Sequence, residues 1–202
     1  MPRRRTFQIV PALRRGLNLA RAYPRRAVIA AIGLVAVIAF FLSSSVVDDL
    51  KDANGYARID RFSPLIREHA QRSGLPEDLV RSVVLAESGG RPEAVSPIGA
   101  RGLMQVTAIT EKDVLQRNPD LKPGDLHEPA YNLRVGTTYL AYLMDRFDGD
   151  LTLALTAYHM GPTAVRRVQR KHPGISPDRL LDDHAGPQTR YYVRRVLREY
   201  EG

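Results

Sequence analysis

The sequence predicts a mainly α-helical domain carried behind a single apolar span. Three observations predict it. Residues 27–47 hold no charge at all, the stretch from Arg58 onward repeats apolar residues at helical spacing between Gly and Pro breaks, and no convincing strand pattern interrupts that repeat.

Charge organises the start of the 202-residue chain. Its formal net charge of +8 is matched by Arg3, Arg4, Arg5, Arg14, Arg15, Arg21, Arg25 and Arg26, no acid precedes Asp48, and beyond that point basic and acidic residues cancel. A basic arm (1–26) beside a neutral domain fits a membrane flank better than a nucleic-acid reader, whose basic face is interleaved with aromatics. No nucleic-acid partner is expected.

Residues 27–42 read AVIAAIGLVAVIAFFL, and the run stays uncharged to Val47. A helix over 27–47 reaches about 31 Å, close to the ~30 Å hydrocarbon thickness of a bilayer, and has no polar face to turn to water. It is read as a single transmembrane helix, contacting membrane lipid. The positive-inside rule keeps the arginines in the cytoplasm and places the rest of the chain beyond the cytoplasmic (inner) membrane, in the periplasm. Ser43 and Ser45 have signal-peptidase spacing, but the basic lead is long for a cleaved signal, so an uncleaved anchor is preferred. There is no cysteine, hence neither a disulfide nor a thiol for lipid attachment.

Residues 48–57 mix acids, Asn and Gly and read as a tether of about 35 Å when extended. The domain then occupies 58–202, with helices expected over 58–72, 76–87, 103–117, 130–147, 151–159, 163–170 and 187–201. Gly74, Gly89, Gly90, Pro119, Gly149, Gly161 and Pro173 fall where those helices end.

One residue asks for chemistry. Pro76 starts a helix without losing a needed N–H, and Glu77 and Asp78 suit its positive end. Val80, Val83, Val84 and Glu87 follow the i, i+3, i+4, i+7 rule, which puts Glu87 on a face that packs into the core. Desolvation there keeps a carboxyl protonated toward neutral pH, where a general acid is useful; the alternative is a helix-terminal Glu turned to solvent. By spacing alone, Ser96 is an ordinary turn residue before Pro97, Gln105 an early-turn helix residue, and Tyr158 a core tyrosine beside Leu151, Ala154 and Leu155.

Four motifs sharpen this. Glu87-Ser88-Gly89 with Ser96-Pro97-Ile98-Gly99-Ala100-Arg101-Gly102-Leu103-Met104-Gln105, then Asn132-Leu133-Arg134-Val135-Gly136 with Tyr139-Leu140, then Ala154-Leu155-Thr156-Ala157-Tyr158 with Gly161-Pro162, and last Thr189-Arg190-Tyr191-Tyr192-Val193 resemble, in order, the signatures of the soluble lytic transglycosylase family. The resemblance implies a lysozyme-like α-helical domain acting on the bond between N-acetylmuramic acid and N-acetylglucosamine in peptidoglycan, and it implies that Glu87 is the catalytic acid and base. It further implies that Ser96, Gly102, Gln105, Tyr158, His159, Gln188 and Tyr192 meet the glycan, Gly99 and Gly102 by letting backbone approach the sugar.

A lone acid suffices for that reaction when the sugar's own 6-hydroxyl attacks and leaves a 1,6-anhydro end, whereas most glycosidases need a second carboxylate. A lysozyme-type hydrolase and a non-catalytic glycan-binding or scaffold protein are the alternatives. Three positions depart from the family pattern: Thr107 where many members carry Met, His159 where many carry Asn, and Gln188 where many carry Glu. The Arg and Lys residues of 166–171 and 190–198 read as a solvated face, or as a wall toward the carboxylates of peptide stems. His127, His172 and His184 lack metal-ligand spacing, so no metal and no other cofactor is expected. The glycan strands of peptidoglycan, and cell-wall or secretion machinery, are the expected partners.

Overall fold

The computed structural model describes residues 54–202, so the expected arm and the expected span at 27–47 lie outside the described residues. No helix among the described residues is long and apolar enough to cross a membrane. Residues 54–60 are helical and are followed by α1 (Ser63–Ser73), α2 (Glu77–Ser88), α3 (Ala108–Arg117), α4 (Pro129–Arg146), α5 (Leu151–Met160), α6 (Pro162–Lys171), α7 (Pro177–His184) and α8 (Pro187–Glu201).

Local chemistry explains most of the ends. Glu77 and Asp78 occupy the first turn of α2, and Gly89 closes it in the left-handed region at φ 57°, where a Cβ would be strained. Asp150 caps α5 by accepting from the Leu153 N–H, and Glu128 caps α4 by accepting from the Ala130 and Tyr131 N–H groups. Leu153 to Ala157 are all buried, which is the mark of a helix covered on every side. Accordingly α5 packs against α4, α6, α7 and α8, while α2 packs against α1 and α8. Strand pairing among the described residues consists of isolated bridges, Val95 to Arg101 and Arg101 to Val106.

The structure corrects the expected elements at four places. Residues 54–57, assigned to the tether, are already helical. The helix expected over 58–72 breaks at 61–62, where the Phe62 N–H turns back to the Ile59 carbonyl at 2.7 Å and Pro64 has no N–H to carry the ladder through. The helix expected from 103 starts at Ala108, because the Thr107 hydroxyl accepts from the Thr110 N–H and caps it there. Helix α7 was not expected; Ser176 caps it and Pro177 opens it, but it is short, with Leu180 and Leu181 as its buried residues, too little apolar pattern to register.

Candidate active site

Helix α2 carries Glu87 one residue before its end. Val80, Val83 and Val84 on the same face are 0% exposed, so the acid stands on a dry floor. Part of the residue faces an opening, but the carboxyl is deeply surrounded, and that burial pushes its pKa up to about 8. The Tyr192 hydroxyl pulls in the opposite direction by favouring the charged carboxylate. Tyr192 is itself buried, and its hydroxyl completes no hydrogen bond among the described residues.

Two clefts meet at Glu87. One, of about 440 Å³, lies along the loop before α3 and is lined by Ser96, Ile98, Gln105, Thr107, Tyr139 and Tyr158. The other, of about 420 Å³, opens between the end of α2 and the start of α8 and is lined by Pro187, Tyr191, Tyr192 and Arg195. Glu87, His159 and Gln188 line both. Among the described residues, no second carboxyl lines either cleft.

The loop is held in shape mostly by its own backbone. The Ser96 N–H donates to the Ala100 carbonyl at 2.9 Å, the Ala100 N–H donates to the Ser96 hydroxyl at 3.0 Å, and the Gly102 N–H donates to the Ala94 carbonyl at 3.0 Å. Gln105 adopts the left-handed region at φ 46°, a conformation that strains a residue with a Cβ. Its amide nitrogen donates to the Gly102 carbonyl at 3.0 Å and the Ala94 carbonyl at 3.2 Å, which leaves the amide oxygen as its open acceptor.

Buried Asn132 of α4 fixes the loop from below. Its oxygen accepts from the Met104 N–H, and its nitrogen donates to the carbonyls of Arg101 and Leu126, each at 2.8 Å. Ser88 does the same from α2, donating to the Leu103 carbonyl at 2.8 Å. Tyr158 donates to the Met104 carbonyl at 2.9 Å and sits close enough to Glu87 to feel its charge.

Comparison with known proteins decides the family. The sequence model described as Transglycosylase SLT domain matches residues 64–178, more than half of the chain. The chain belongs to the SLT transglycosylase domain family. It is 30% identical to the soluble lytic murein transglycosylase of Salmonella typhimurium over 67% of this chain and 22% of that protein. It is 31% identical to a membrane-bound lytic murein transglycosylase C of Serratia proteamaculans, over 69% of this chain and 45% of that one. The lytic transglycosylase Slt of Pseudomonas aeruginosa, solved as an inactive mutant with a Glu changed to Gln, superposes with a TM-score of 0.62 at 27% identity, covering 68% of this chain and 23% of that chain. The chain therefore spans less than half the length of these relatives. Its described residues have the mainly α-helical, lysozyme-like fold of the family.

In this member of the SLT family, Glu87, Ser96, Gln105, Tyr158, His159, Gln188 and Tyr192 are brought to the two clefts. Gly102 is not. It is buried, at φ 74°, and a Cβ there would collide with the Asn132 amide and the Leu126 carbonyl, so close packing under the loop is reason enough for a glycine there. Gly99, by contrast, has open space around it. Ser96 is the turn residue its spacing suggests and still keeps its hydroxyl proton for the cleft. Sequence reasoning passed over Tyr191, which is 62% exposed at the mouth of the second cleft, and over Asn132 and Ser88 as the pins of the loop. The motifs contained all three residues, but not the partners they find.

Proposed function

We propose that this chain is a lytic transglycosylase that cuts the β-1,4 bond between N-acetylmuramic acid and N-acetylglucosamine in peptidoglycan and leaves 1,6-anhydro ends. The observation that carries the reading is a single raised carboxyl, Glu87, with no second carboxyl in either cleft among the described residues. Most glycoside hydrolases need a second base or nucleophile from the protein; an intramolecular attack does not.

At neutral pH Glu87 holds its proton and delivers it to the glycosidic oxygen as the bond to the muramic C1 breaks, releasing the other sugar with a free 4-hydroxyl. Negative charge appears on Glu87 at that moment. The Tyr192 hydroxyl, which already favours the charged carboxylate, holds that charge more strongly than the neutral acid, so the interaction is stronger in the transition state than before it. Glu87 next takes the proton of the 6-hydroxyl as that oxygen closes on C1, and the acid is restored. The Glu-to-Gln mutant of the Pseudomonas relative is described as inactive, which agrees with a glutamic acid doing this work.

In the proposed organisation residues 1–26 are cytoplasmic, 27–47 form the membrane anchor, and the domain faces the wall from the periplasmic side, where cell-wall or secretion machinery is its expected company. The membrane-bound relative supports membrane association. The deciding experiment is mass analysis of muropeptides after digestion of purified peptidoglycan and borohydride reduction. Anhydro ends, lighter by one water and resistant to borohydride, are expected as the main product. Mostly reducible ends would establish a hydrolase, and no cleavage by the folded full-length protein would leave a glycan-binding role.

A further inference from the structure

His159 and Thr189 form a pair that no motif explains. His159 is the next-to-last residue of α5 and Thr189 belongs to the first turn of α8. The His159 Nδ1 and the Thr189 hydroxyl are 3.0 Å apart, and the imidazole lies against the Tyr192 ring, with centroids 4.8 Å apart. Thr189 is 6% exposed, so its hydroxyl proton needs a protein acceptor.

The acceptor decides which ring nitrogen carries hydrogen. Thr137, Thr138 and Thr156 satisfy their hydroxyls by donating to the carbonyl four residues earlier in their helices. Thr189 stands too near the start of α8 for that route, since the residue four positions earlier is Ala185, outside the helix, whose carbonyl accepts from Arg190 at 2.5 Å. The bond to Nδ1 is the one the structure gives it. Were Nδ1 the donor, the Thr189 proton would be buried without an acceptor; with Thr189 as donor, both groups are satisfied. Nδ1 is then the bare nitrogen and Nε2 carries the hydrogen. The Nδ1 edge is tied to Thr189 while the ring lines both clefts with Glu87, so the Nε2 edge is the one left to meet a ligand.

We propose that Thr189 is a positioning residue that locks His159 in the Nε2–H form, so that the imidazole donates one hydrogen bond to an acceptor oxygen, a hydroxyl or an N-acetyl carbonyl, of the glycan lying past Glu87. The lock gives histidine the neutral N–H donor that an asparagine amide offers, and it opposes protonation, because an Nδ1–H would leave the Thr189 proton without its acceptor. Partial desolvation of the ring also lowers the His159 pKa. The chemistry of the ligand rests on the transglycosylase reading; the tautomer does not.

The test uses the full-length protein labelled with ¹⁵N-histidine, the His159 signals being identified by their loss in His159→Phe. Long-range ¹H–¹⁵N spectra at pH 8 are expected to show Nδ1 as the bare nitrogen and Nε2 as protonated. Titration with a tetramer of N-acetylglucosamine is expected to move the Nε2 signals more than those of Nδ1. In turnover assays, Thr189→Val is expected to raise KM about tenfold with kcat within about twofold, Thr189→Ser to restore KM, and Thr189→Val to have no further effect once His159 is Phe.

An Nδ1–H signal in the wild type, or additive effects of the two substitutions, would overturn the proposal. So would Nε2 signals that ignore the saccharide. The spectra need no turnover, so they judge the pair even if the wild type cleaves nothing, a result that would count against the transglycosylase reading alone.

Discussion

An acid that must give up a proton and then recover it works best when its pKa lies near the working pH, and the environment of Glu87 achieves this by withholding water. With the carboxyl pushed up to about 8, kcat/KM is expected to be flat in mildly acidic buffer and to fall tenfold per unit as pH rises beyond about 8, because the proton to be donated is gone. A pH–rate profile on peptidoglycan checks this; a limb near the ordinary Glu value would mean that the carboxyl is solvated. The same burial carries a stability cost. Between the ordinary value of 4.5 and about 8 the folded protein keeps a proton that the unfolded chain has released, so stability falls as pH rises through that window. Glu87→Gln has no proton to lose. The variant is expected to be inactive, to bind glycan, and to melt higher than wild type at pH 9 by an amount equivalent to a few kcal/mol, with the gap closing toward pH 4.5. Thermal melts across pH read it, and equal melting points at pH 9 would refute it.

At the scale of elements, the loop beside Glu87 borrows its order from α4. Removing Asn132 frees the Met104 N–H and two carbonyls at once, so Asn132→Ala is expected to cost about 2–4 kcal/mol and to lower kcat more than tenfold at temperatures where the variant is still folded. Denaturant unfolding with parallel turnover assays separates the two effects. This dependence also shows where the sequence stops being readable. The valine face of α2 and the glycine that ends it follow local rules, so the position of Glu87 was legible. Residues 103–107 were not, because Leu103 and Met104 look like the start of a helix until Asn132, far along the chain, takes the Met104 N–H. The packing around Gly102 was hidden for the same reason: its neighbours are Asn132 and Leu126, and no local pattern distinguishes a glycine that spares a side chain from one that admits a sugar. His159 was legible only as a departure, since the partner that defines it lies in another helix.

For the whole molecule, the proposed anchor predicts that the full-length protein sediments with membranes and resists extraction by high salt. Recovery in the soluble fraction with an N-terminus near Val46 would show a cleaved signal instead. Either outcome bears on how residues 54–60 are used. Arg58 donates to the Gly89 carbonyl at 2.6 Å, Tyr56 donates to Glu199 of α8, and Ile59 fills the space beside Gly90. The end of the helix that holds the acid is thus clasped by Arg58 and Ile59, which immediately follow the expected tether, while Tyr56, inside it, ties the same segment to α8. Anyone trimming this protein to its described domain would be tempted to cut at the turn at 61–62, where the first helical segment breaks. That seam is the wrong one: a chain starting there keeps Glu87 but loses the clasp, whereas one starting before Gly55 keeps both.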